Sequence, residues 1–123
     1  MKTVKKLTGM QGSWLVNVTY DDGSTERLPT AHAYFWSSGN QYQRRSGDVG
    51  SNGFFRDNPK KFAEYIEALK ANKRVVLTKD DIDEATAHFK RADYQGVFDV
   101  EDITLSGDSL RFRFVRRLPI AAA

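Results

Sequence analysis

Trp14, Val16, Val18 and Tyr20 recur at every second position with Asn17 and Thr19 between them, the pattern of a half-buried strand. "DDGS" follows, and its Asp22-Gly23 step predicts a tight hairpin with positive φ at both central positions. The return strand starts near Thr25 and is expected to falter at Pro29, which has no N–H to give a central ladder. A further strand is expected over residues 32–36. The period then turns helical: Phe62, Tyr65, Ile66 and Leu69 form one stripe, behind a cap at Asp57 or Asn58 and a proline at the first helical position. A short apolar strand over residues 75–77 leads to a second expected helix. There Thr78 and Asp81 resemble a capping box, and Ile82, Ala85 and Phe89 form the buried stripe. "VFDVEDITL" and "LRFRFVRRL" flank "SGDS", a second hairpin, and the apolar phase slips between Val100 and Ile103, which predicts a bulge. In the last strand Leu110, Phe112 and Phe114 face inward, with Arg111, Arg113 and Arg117 opposite.

These elements predict an α+β fold: a small bent, mostly antiparallel β-sheet or partly closed β-barrel of five to six strands with two flanking helices. Between its parts, residues 37–58 read as one long loop. Its glycines and serines leave no period, yet it carries Tyr42, Phe54 and Phe55.

Composition adds bounds. With 123 residues, 40% hydrophobic and 28% charged, the chain fits a single globular domain over residues 1–120. The closing "AAA", residues 121–123, reads as a cloning remnant, which would make the chain the front module of a longer protein. No cysteine is present, so disulfides and thiolate metal sites are excluded. No apolar run is long enough to span a membrane, and the expected setting is the cytoplasm, without a membrane partner. The net charge of +3 discriminates little, but its distribution does. Arg44, Arg45, Arg56, Lys60 and Lys61 crowd one segment, and residues 111–117 hold four arginines and no acid. The acids collect in "DDIDE" and "DVED". Such segregation suits a one-sided contact with an anion.

Catalysis finds little support. His32 and His88 are far apart, with no zinc-ligand spacing, so neither a metal nor another cofactor is expected. "DDIDE" at the start of a helix is explained by the helix dipole, and "DVED" by a solvent face. The glycines at 47, 50 and 53 lack the lysine ending of a phosphate loop. What remains is aromatics interleaved with arginines. Tyr34, Phe35 and Trp36 are consecutive, so on a strand they cannot all face one core. Trp36, Tyr42, Phe54 and Tyr34 are therefore candidate base-stacking rings, and Asp48 and Asn52 candidate polar contacts to a base edge. Arg44, Arg45, Arg56, Lys60, Lys61, Arg111, Arg113, Arg116 and Arg117 are candidate phosphate ligands.

Residues 73–117 resemble PUA-like domains, the group that includes the EVE and SRA families. "NKRVVLT" resembles their short strand after a helix, "YQGVFDVEDITL" their glycine–hydrophobic strand ending in valine, and "LRFRFVRRL" the hairpin return. The resemblance implies a bent barrel that reads modified or flipped bases in DNA or RNA without catalysing a reaction. The leading expectation is thus a non-catalytic nucleic-acid-binding module. The alternatives are a bacterial or phage regulatory domain docking on a protein partner through the same loop, and a small enzyme with a site centred on His32.

Overall fold

The computed structural model describes residues 2–9, 14–83 and 88–121, with the backbone alone at 82–83 and 88–92. Eight strands form one sheet: β1 (Val4–Thr8), β2 (Leu15–Tyr20), β3 (Thr25–His32), β4 (Trp36–Ser37), β5 (Gln41–Arg45), β6 (Arg74–Asp83), β7 (His88–Ser106) and β8 (Ser109–Arg117). Their order is β1-β2-β3-β6-β7-β8-β5-β4, antiparallel throughout except for the parallel β3–β6 pair. Two helices stand between β5 and β6: the five-residue α1 (Asn52–Arg56) and α2 (Pro59–Asn72).

This corrects the expected fold class. The protein is mostly β, its sheet has eight strands rather than five or six, and it does not close into a barrel. Among the described residues only α2 is a substantial helix. It begins as its sequence signals require: Asn58 accepts a hydrogen bond from the Lys61 N–H (3.2 Å), and Pro59 takes the first position, where its missing donor costs nothing. It ends at Lys73, held in the left-handed region at φ +52°.

Among the described residues strand takes the place of the second expected helix. Thr78 and Asp81 are strand residues of β6, and Ile82 pairs directly with Phe89 across to β7, while Ala85 lies outside the described residues. His88 likewise opens a strand, paired with Asp83. Cross-strand pairing overrides the local capping pattern.

β6 also organises the interior. Val75 and Leu77 face one cluster, packed with Tyr65, Ile66 and Leu69 of α2. Val76 faces the other, with Val16, Val18, Tyr20 and Leu28 from the β2–β3 hairpin and Val97 from β7. Burial on both sides is why this stretch reads as an unbroken apolar run instead of an alternation. Trp14 departs from the strand pattern of its neighbours: it packs on the α2 side, 5.1 Å from the Phe54 ring.

Pro29 does not end β3. It faces Leu15 in β2, and from Thr30 onward β3 pairs with β6, so the residue without a donor sits where the strand changes partners. In the first hairpin only Gly23 has positive φ (+85°), and its N–H bonds to the Tyr20 carbonyl at 3.0 Å. This is a turn followed by a left-handed glycine, not the two-residue loop expected. The bulge near residue 102 is present: the β7–β8 register shifts between Glu101 and Thr104, and Asp102 has φ +56°.

Edge strand β1 is tied to the far end of the chain. The Val4 N–H donates to the Pro119 carbonyl (2.8 Å), and the Ala121 N–H donates to the Val4 carbonyl (2.7 Å). Ala121, set aside in the sequence, thus engages the sheet.

An ion network ties β3, β6, β7 and β8. Arg74 Nε donates to Asp99 (2.7 Å) and its Nη1 to both Glu26 oxygens (3.1 Å each), while Arg116 Nη2 donates to the other Asp99 oxygen at 2.8 Å. Burial pushes the Asp99 carboxyl up, but the hydrogen bonds from Arg116 and Arg74 outweigh it and hold the group below the usual carboxylate range. A depressed carboxylate contributes stability that is complete above its unfolded value of about 4 and is lost as pH falls through the folded value. The thermal midpoint is therefore expected to drop as the pH is lowered below about 4. Asp99→Asn should flatten that acid limb and lower the midpoint at neutral pH, which scanning calorimetry across pH 2–7 will read.

Candidate nucleic-acid interface

The three consecutive aromatics are resolved by a break in the strand. Residues Ala33–Phe35 form a single 3-10 turn, so neighbouring side chains diverge by a third of a turn instead of alternating. Tyr34 is 57% exposed, Phe35 is buried, and Trp36, first in β4, is half-buried with its ring stacked 4.0 Å from Phe114. Beside them lies a hollow of about 440 Å³, lined by Tyr34, Trp36, Ser37, Gln43, Arg45 and Asp48 among others. The far wall is a tight turn: the Arg45 N–H donates to the Asp48 carboxylate (2.7 Å) and the Asp48 N–H returns to the Arg45 carbonyl (2.9 Å). One Asp48 oxygen is thereby committed to the backbone.

β5 supplies the floor and continues it. Tyr42 and Arg44 point inward, so Gln41, Gln43 and Arg45 point outward. Across the ladder Gln41 faces Arg113, Gln43 faces Arg111, and Arg45 faces Ser109. Arg45 and Arg111 are diagonal neighbours on this face, and neither guanidinium makes an ion pair among the described residues. Gln41 and Gln43 were missed in the sequence, where the segment reads as loop. Their signal was the alternation of Gln-Tyr-Gln-Arg-Arg, hidden because an arginine occupies an inward slot.

Several candidates lie elsewhere. Tyr42 is fully buried and stacks 4.4 Å from Phe112, and burial pushes its pKa up to about 12. Phe54 is buried between Trp14, Phe62 and Tyr65. Neither ring offers a stacking surface. Arg44 is only 4% exposed: Nε donates to Ser51 Oγ (2.7 Å), Nη2 to the Gly50 carbonyl (2.8 Å), and the guanidinium lies 4.1 Å from the Phe54 ring centre. It cannot reach a phosphate. Arg56 pairs with Asp108, Arg113 with Glu101 and Asp102, and Arg116 with Asp99. Asn52, Lys60 and Lys61 belong to α1 and the first turn of α2, and do not line the hollow. Arg117 is exposed at the end of β8, beside Gly96. The candidates that the hollow brings together are thus Tyr34, Trp36, Arg45 and Asp48, with Arg111 adjoining.

His32 takes part in a different arrangement. Its Nδ1 hydrogen-bonds the Asp80 carboxylate, which is nearly buried and also accepts from Thr78 Oγ1 at 2.7 Å. His32 and Thr78 are paired across the parallel β3–β6 ladder, so the cluster clasps the sheet where it lacks a hairpin connection. Thr78 Oγ1 also lies 3.5 Å from His32 Nδ1, so the three side chains form one hydrogen-bonded cluster. Among the described residues no group of three or more His, Asp and Glu side chains is placed to hold a metal ion. No described helix is long and apolar enough to cross a membrane.

Comparison of the chain with protein-family models, with curated proteins and with solved structures gave no match.

Proposed function

We propose that this domain is a non-catalytic nucleic-acid-binding module that receives an unpaired or flipped base of DNA or RNA in the Tyr34 hollow. The observation that carries this reading is the meeting of an exposed Tyr34 ring with Trp36 and Arg45 around one recess, continued by Arg111 on the adjoining strand. Leaving a large ring in water forgoes about 1.5 to 3 kcal/mol of burial. A ring beside a guanidinium is what base stacking and phosphate contact need together.

Fluorescence anisotropy with labelled oligonucleotides at low salt tests this. Binding should weaken with salt, and replacing both Arg45 and Arg111 by alanine should make the slope of log K against log salt shallower by about 1.4. Tyr34→Ala should cost about 1 to 3 kcal/mol of affinity, the worth of one stacked base. No binding to either DNA or RNA at low salt would overturn the proposal.

A further inference from the structure

We infer that the ligand is an extended single strand running along the outer face of β5 and β8, with its last bound base in the Tyr34 hollow. This rests on the nucleic-acid reading above and narrows it to one substrate class. The face has the chemistry of a reader. Gln41, Gln43 and Arg45 project from alternate positions of β5, with Arg113, Arg111 and Ser109 opposite them. Neither strand carries a carboxylate. Glu101 and Asp102 of β7 pair with Arg113 and neutralise the end away from the hollow, and Asp48, in the hollow wall, has one oxygen bonded to the Arg45 N–H. The remaining positive charge is concentrated on Arg45 and Arg111, two like charges set diagonally with no acid between them, an arrangement that an anion relieves.

Shape excludes the duplex. Reading a major groove takes a helix or a two-stranded ribbon that inserts into it, whereas this surface is one face of an eight-stranded sheet. Against it a duplex would present phosphates alone. A single strand presents base edges as well, and a glutamine amide, donor and acceptor together, is built to meet them. Successive outward residues of β5 stand about 6.7 Å apart, close to the reach of one unstacked nucleotide per step. The row Gln41, Gln43, Arg45 leads to the recess where Tyr34 is exposed.

The experiment compares one labelled mixed-sequence oligonucleotide, DNA and RNA in turn, as a single strand and annealed to its complement. It uses the parent protein and the Gln41→Ala/Gln43→Ala variant, with thermal melts confirming that the variant is folded. The single strand is expected to bind at least about tenfold tighter than the duplex, and the variant to lose about tenfold of single-strand affinity at an unchanged salt slope. Equal or tighter duplex binding overturns the single-strand inference and leaves the module reading standing. Single-strand preference that the variant retains in full overturns the path along β5. Absence of binding to every form overturns both.

Discussion

Arg44→Ala is expected to unfold at a far lower denaturant concentration than the parent protein, with a stability loss on the order of 3 to 5 kcal/mol. Three terms add up. The guanidinium sits over the Phe54 ring at 4.1 Å and within 5.0 Å of Phe35, and that desolvated cation–π contact is lost. The Ser51 hydroxyl and the Gly50 carbonyl each lose a buried donor. The truncated side chain leaves a void under β5. Arg44→Lys keeps the charge but cannot span both acceptors with one planar fork, so it should recover only part of the loss. Arg45→Ala, one residue on, should leave the urea midpoint nearly unchanged because that side chain is exposed. Adjacent arginines thus separate a stability role from a surface role, and urea titrations with constant m-value will read the difference.

Phe112→Ala is expected to cost about 3 to 5 kcal/mol as well, by a different route. Its ring is 1% exposed, stacks face to face with Tyr42 at 4.4 Å and meets Phe114 at 5.4 Å. No polar group is orphaned, so the loss is one of packing and transfer, and it falls on the ladder that joins β8 to β5. The same truncation at Val115, 48% exposed and directly after Phe114, should shift the thermal midpoint little. A comparable loss at both sites would mean that the inward and outward faces of β8 are assigned wrongly.

Legibility in the sequence varied with how far each element depends on distant partners. α2 was legible because its cap, its proline and its apolar stripe are all local. The two hairpins were legible from Gly23 and Gly107, both in the left-handed region. β6 beyond Leu77 was not, since Thr78, Asp81 and Ile82 satisfy a helical pattern and become strand only through pairing with β7. β5 was concealed by Arg44, whose burial depends on Ser51 and two rings that no short window displays. The same concealment affected the candidate site. Rings and arginines were recognisable as a group, but which of them faced water depended on the 3-10 turn at Tyr34 and on the phase of β5, and that phase also hid Gln41 and Gln43.

The tie between Val4 and residues 119–121 bears on how the chain reaches this state. Val4 of β1 is made more than a hundred residues before the segment that satisfies its outer N–H and carbonyl. Together with the parallel β3–β6 pairing across a long excursion, this gives the molecule a high contact order, and loops of that span close slowly. Until residues 119–121 are made, the outer N–H and carbonyl of Val4 stay open at the sheet edge, where a passing strand can pair with them.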